Sequence, residues 1–236
     1  MEMGKEIEIL RGKLARACRM LEMIGLIDFS GHISGRIPGQ QTFLIHPAEL
    51  PRSEVTPGDF IEVRWNERGA EKIAGIPQET PIHTAVYQMR ENVHSVIHMH
   101  SHYSILPSIA GKDLVPVCHH GSIFGAIVPV YPDSEKITTS EQANHLARVL
   151  GGARAVIMKG HGAVVAGSNV EAVFLASLHL EENAKLFVEA SVMGNPHPLP
   201  EEERKRASAN TYKSSSIQKS WDYFVAKGRK AGIFWD

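Results

Sequence analysis

Only two cysteines, Cys18 and Cys118, occur in 236 residues. They form no CxxC pair and no disulfide framework, which suits a reducing compartment and leads us to expect a cytoplasmic protein. Long apolar runs are also missing: no stretch is long enough to span a bilayer, and the first residues are acidic and amphipathic rather than basic and then apolar. No membrane association is expected. Excess charge of one sign is absent too, with a formal net charge of −1. The one dense basic cluster, Arg204-Lys205-Arg206, follows directly on Glu201-Glu202-Glu203. Nucleic-acid binding through a basic face is therefore excluded as an expectation. Internal repeats and low-complexity tracts are lacking. What remains is an ordinary globular composition, 43% hydrophobic and 22% charged, long enough for a full core. One residue type is abundant. Thirteen histidines is roughly twice ordinary usage for this length.

The histidines point to a site when they are placed on elements. Ser95 to His100 is a β-branched apolar run that ends in His98-Met99-His100. Side chains alternate faces along a strand, so His98 and His100 share a face while Ile97 and Met99 take the other. Two imidazoles delivered to one point suit a divalent metal. A third candidate, His161, lies in a Gly-flanked turn, Gly160-His161-Gly162, between two apolar runs. Three neutral imidazoles leave a zinc-like ion an open position, as in catalytic rather than closed structural sites.

Other elements follow from period and punctuation. Residues 5–25 read as a helix stopped by Gly25. Thr42 to His46 and Phe60 to Trp65 read as strands, with a turn at Asn66-Glu67-Arg68-Gly69. Pro77-Gln78-Glu79-Thr80-Pro81 opens a helix carrying His83, Tyr87 and Arg90, with Glu79 at the positive end of its dipole. Tyr103 to Ile109 is expected as a short helix and Ile127 to Tyr131 as a strand. Thr138 with Glu141 and Ser168 with Glu171 read as capping boxes, the first for a helix to about Leu150 and the second for a long helix to about Met193. Residues 28–39, rich in Gly and Ser, are open to two readings. They form a strand with turns at both ends, or a pocket for an anion in which Arg36 forks onto a carboxylate or phosphate. His119 and His120 sit in a loop-like stretch, either as ordinary loop residues or as site residues.

Taken in order, several motifs resemble the class II aldolase/adducin family. They are Gly31-His32-Ile33-Ser34-Gly35-Arg36; Glu79-x-x-x-His83-x-x-x-Tyr87-x-x-Arg90; Val96-Ile97-His98-Met99-His100; Lys159-Gly160-His161-Gly162-Ala163; and a final helix with Glu181-Glu182-Asn183-Ala184. The likeness covers roughly residues 5–195. It implies an α/β fold, a three-layer α/β/α sandwich around a mostly antiparallel central sheet. Residues 1–195 would form the domain, and 196–236 a C-terminal arm packing on it or on a neighbouring subunit. The resemblance also implies a homotetramer with active sites between subunits. Its metal ligands map onto His98, His100 and His161, and its acid/base glutamate onto Glu79. One divalent ion per subunit is expected, Zn2+ or Mn2+, with Fe2+ or Co2+ also compatible with the ligand set.

The departures from the family pattern narrow the chemistry. Where phosphate-binding members use Asn, Thr-Gly and Ser-Ser, this chain has His32, Ala48-Glu49 and Pro77-Gln78. Lost hydroxyls, an added carboxylate and a proline in place of an N–H donor disfavour a phosphate dianion. The expectation is a metal-dependent carbon–carbon lyase, a decarboxylase of a non-phosphorylated hydroxy or oxo, aromatic or ring-cleavage, dicarboxylate. In it Glu79 or His120 handles the proton, and His32, Ser34, Arg36 and His119 bind the small-molecule carboxylate substrate. The alternatives are an aldolase or 4-epimerase acting on fuculose or ribulose phosphate, and an adducin-like interaction module without turnover.

Overall fold

The computed structural model describes residues 2–65 and 73–235. The expected turn at 66–69 lies outside the described residues.

Alternation of apolar side chains on both faces of the strands requires a sheet covered on two sides, and the chain builds one. The strands are β1 His32–Arg36, β2 Thr42–Ile45, β3 Ile61–Arg64, β4 Ser95–Met99, β5 Val130–Tyr131, β6 Ala155–Met158 and β7 Gly162–Gly167. They lie in the order β3-β2-β1-β4-β7-β6-β5. The sheet differs from the mostly antiparallel one expected: it is mixed. β5 pairs with β6 in parallel, and the remaining neighbours pair antiparallel. The connection from β5 to β6 runs through a helix, which returns the chain in the same direction.

The helices are α1 Glu2–Met23, α2 Thr80–Met89, α3 His102–Ile109, α4 Ser140–Leu150, α5 Val170–Met193, α6 Glu201–Thr211 and α7 Ser214–Lys230. On one face, Ile33, Ile97, Met99, Ala163 and Val165 pack with Leu14, Leu21, Phe174 and Leu180 of α1 and α5. On the other, Phe43, Val96, Val156, Met158 and Val164 pack with Ile82 and Val86 of α2 and Leu146 of α4. Residues 196–235 are mainly helical and bury Trp221 in the first of these cores, its ring 5.7 Å from that of Phe174. The last residues fold back on α1, where Arg19 Nη1 donates to the Ile233 carbonyl and the guanidinium lies over Trp235.

Helices α4 and α5 both start one residue later than the spacing of their polar residues suggests. Thr139, not Thr138, caps α4: its hydroxyl accepts the Gln142 N–H, and Gln142 Oε1 accepts the Thr139 N–H. Asn169, not Ser168, caps α5 by accepting the Ala172 N–H at 2.7 Å. Glu171, thus freed, meets Lys13 Nζ at 2.6 Å. In each case two polar residues stand side by side, and the second of them, with extended backbone angles, is the cap. The strand expected from Ile127 shortens to Val130–Tyr131. No helix among the described residues is long and apolar enough to cross a membrane.

Candidate metal centre

Three elements meet at one end of β4. His98 is the fourth residue of that strand and lies directly opposite His32 of β1. His100 follows just past the strand end, and the even spacing returns it to the same face. His161 stands in the three-residue loop between β6 and β7, where Gly160 takes φ +62 to close the hairpin. Gly162 then lets β7 approach β4: a Cβ there would lie 2.5 Å from the Met99 carbonyl oxygen and 2.9 Å from the His100 ring. Glu79 is the residue preceding α2. Its side chain makes no capping bond, contrary to its expected place at the dipole, and turns toward the histidines instead.

Glu79, His98, His100 and His161 each offer a ligand atom, and these atoms all lie within 4.8 Å of one another. His98 Nε2 is 2.9 Å from His100 Nε2 and 3.3 Å from Glu79 Oε2, while His161 Nε2 is 3.8 Å from the same carboxylate oxygen. Ligands at about 2.0–2.1 Å from one ion stand about 2.9 Å apart at right angles and about 3.3 Å apart at tetrahedral angles. The observed separations start in that range, so the donor set fits a divalent ion. Electrostatics favour it as well. Burial and the neighbouring His98 and His161 hold His100 down at about 4, and burial followed by His98 lowers His161, which keeps both imidazoles neutral and able to ligate. His98 Nδ1 lies 3.2 Å from the Ala163 carbonyl, an acceptor for its proton that would leave the Nε2 lone pair to an ion when one is bound. Burial raises the Glu79 carboxyl, but the His98 hydrogen bond and charge, the Ile137 N–H on Oε1 and His161 outweigh it and hold the group at about 2.

Residues 12–188 match the Class II Aldolase and Adducin N-terminal domain. The chain belongs to the class II aldolase and adducin family. Among its relatives are 3,4-dihydroxyphthalate decarboxylases of Arthrobacter keyseri and Terrabacter sp. They are 28% and 29% identical, over 78% and 82% of this chain and 79% and 86% of their own. A crystal structure of an aldolase II superfamily protein from Pseudomonas syringae shares the fold, with a TM-score of 0.82 at 23% identity over 97% of this chain and 95% of that one. This class II aldolase domain thus carries its histidine–glutamate cluster on a sheet of known architecture.

The other expected site residues fall in two different places. His32 lies beside the cluster, its ring 5.0 Å from that of His98, with its Nδ1 2.6 Å from His83 Nε2. Ser34 is fully buried and its hydroxyl is shared between His83 Nδ1 and Tyr87 OH, so it does not face a substrate. Arg36 Nη2 donates to the Tyr87 and Arg90 carbonyls and the guanidinium lies over the rings of Trp65 and Tyr87, while Nε has no hydrogen-bond partner among the described residues. His119 and His120 do not join the cluster. His119 bonds Thr211 of α6 at 2.7 Å; His120 Nδ1 meets Glu182 of α5 at 2.5 Å and stacks on His179, 4.2 Å between centroids. They line a cavity of about 520 Å³ with α5 and α7. Sequence reasoning did not single out His179, His46 or the role of His83, because one histidine on an amphipathic helix or at a strand end carries no sign of what lies opposite it.

Proposed function

We propose that this chain is a divalent-metal-dependent carbon–carbon lyase that decarboxylates a non-phosphorylated hydroxy or oxo dicarboxylate of aromatic or ring-cleavage type. The observation that carries the reading is the joining of one buried, ionised carboxylate, Glu79, to three imidazoles in a single cluster. The relatives named as decarboxylases support the reaction class. Further support comes from Ser34, one of the two residues that would keep a phosphate site alive, since its buried hydroxyl is engaged by His83 and Tyr87.

His98, His100 and His161 would hold the ion, which when bound supplies a Lewis acid for an oxygen on which negative charge develops. Glu79, ionised at neutral pH, takes the proton of a substrate hydroxyl. It then delivers that proton to the carbon that loses CO2, so the departing carboxylate is replaced by hydrogen. Its Oε1 is anchored by the Ile137 N–H, which leaves Oε2 facing the reactants. His32 holds the second carboxylate. In this reading His120, gripped by Glu182, is a further proton donor. Because its partners lie on α5, it would serve the centre of a neighbouring copy in a homotetramer.

The test is turnover by zinc- and manganese-loaded protein of hydroxyphthalates against fuculose and ribulose phosphates, with CO2 release as the readout. Release of CO2 from the dicarboxylates and none from the sugar phosphates is expected. Cleavage of the sugar phosphates alone would overturn the reading in favour of an aldolase, and protein that takes up no metal and turns over nothing would favour an interaction module.

A further inference from the structure

Behind His32 runs a line of buried polar groups that the lyase reading leaves unused. His32 Nδ1 lies 2.6 Å from His83 Nε2, His83 Nδ1 lies 2.6 Å from Ser34 Oγ, and Ser34 Oγ lies 2.7 Å from Tyr87 OH. All four side chains are shielded from water: His83 and Ser34 are 0% exposed, Tyr87 1% and His32 4%. Strand and helix register produce the line. Ser34 and His32 project from β1 on the α2 face of the sheet, and His83 and Tyr87 are one helical turn apart on α2.

Proton counting gives the line a direction. Among the described residues the Tyr87 hydroxyl makes one hydrogen bond, with Ser34 Oγ. That leaves Ser34 Oγ as its one acceptor there. Burial raises the phenol's pKa, so it carries a proton, and that proton has nowhere to go but Ser34 Oγ. Ser34 then donates its own proton to His83 Nδ1. Nδ1, accepting that proton's hydrogen bond, carries none of its own, so the ring's single proton sits on Nε2 and is donated to His32 Nδ1. One proton lies between those two nitrogens, and the only site left for the His32 proton is Nε2. Reversing every bond would strand the phenol proton in the core without an acceptor. No hydrogen bond is made by His32 Nε2 among the described residues, and its ring adjoins His98, 5.0 Å between centroids.

We propose that Tyr87, Ser34 and His83 form a one-way hydrogen-bond chain that locks His32 as an Nε2–H donor at the rim of the candidate metal centre, where it grips a carboxylate oxygen of the substrate. His32 is the group that touches the ligand. His83, Ser34 and Tyr87 are positioning residues that act through it. A locked donor recognises an oxygen that only accepts, such as a carboxylate, and turns away one that presents a hydroxyl proton. The direction of the chain stands on geometry and proton counting; the identity of the gripped group rests on the lyase reading.

The experiment uses zinc-loaded protein labelled with 15N-histidine, with long-range 15N–1H correlations to read each tautomer and phthalate as the probe ligand. The expected result is Nε2–H at both His32 and His83. In Ser34→Ala, His83 Nδ1 loses its donor, both tautomers populate at His83 and His32, and phthalate binds roughly tenfold more weakly. Ser34→Thr keeps the hydroxyl and restores both readouts. A side chain that served only as packing would leave the tautomers unmoved. Nδ1–H at His32 in the wild type overturns the proposal without any variant needing to fold, and so do unchanged tautomers in Ser34→Ala. Tautomers as stated, with no phthalate binding to the wild type, overturn the carboxylate grip and the lyase reading and not the direction of the chain.

Discussion

Replacing Gly162 by alanine tests whether the metal-candidate geometry depends on the close approach of β7 to β4. The new methyl would sit 2.5 Å from the Met99 carbonyl oxygen, 2.9 Å from His100 Cδ2 and 3.2 Å from His98 Cε1. Ordinary C···O contacts begin near about 3.3 Å, so the two strands must part by about 0.8 Å at the point where both ligands leave β4. Overpacking of this kind costs about 1–3 kcal/mol, a fall in Tm of roughly 3–10 °C for a chain of this size. A second loss follows in the presence of metal. A bound ion at about a hundred times its Kd stabilises by about 2.7 kcal/mol, and a tenfold weaker site loses about 1.4 kcal/mol of that. Thermal unfolding of Gly162→Ala and wild type, each with and without zinc, reads both effects. The metal-free Tm should fall, and the zinc-induced rise should shrink by a further few degrees. If both the metal-free Tm and the zinc increment match the wild type, the dependence of the ligand spacing on Gly162 is refuted.

Glu79→Gln removes the base but leaves the three imidazoles; kcat should fall by about 10²–10⁴-fold with zinc content near one per chain, as measured by elemental analysis. Loss of zinc along with activity would show the carboxylate to be a ligand instead. Asn183→Ala deletes a fully buried amide that accepts the Val117 N–H at 2.9 Å and donates to the Val115 carbonyl at 3.0 Å. Two half-buried backbone groups then lose their partner, and urea unfolding should show a loss of about 1–3 kcal/mol. His46 and His179 make stability depend on pH. Burial, then Arg52, depresses His46 to about 3; burial, then His120 and His119, depresses His179 to about 3. The unfolded chain protonates at these groups near 6.5 while the folded one does not, so their contribution is full above that value and is lost as pH falls toward 3. Between about pH 7 and pH 5.5 the two groups together should lower stability by about 2.5 kcal/mol, and a Tm that is flat over this interval contradicts their assignment as neutral buried groups.

Local signals carry much of the fold into view. The His98–His100 spacing is a strand property, because two residues are one repeat of the pleat, and the loop at Gly160 follows from the need for a left-handed residue in a tight hairpin. The caps at Thr139 and Asn169 lie one residue from where spacing puts them, since neighbouring polar residues both offer a capping oxygen and spacing does not choose between them. Arg36 and Ser34 show the limit more sharply. A Gly/Ser-rich stretch with one arginine reads as an anion pocket, yet the Ser34 hydroxyl and the Arg36 Nη2 are engaged by Tyr87, Arg90 and His83, residues that lie far along the chain.

By itself the sequence determined the composition class, the strand- and helix-forming segments and which residues are chemically able to bind metal, because propensity, period and donor chemistry are local. Only the tertiary structure decided which of them meet. It brought Glu79 from the start of α2 to the end of β4, sent His119 and His120 to α6 and α5, and buried Ser34 beneath His83. Those outcomes depend on strand order and on which face of the sheet each helix covers, and residues distant in the chain acquire a common site only when the sheet has been assembled.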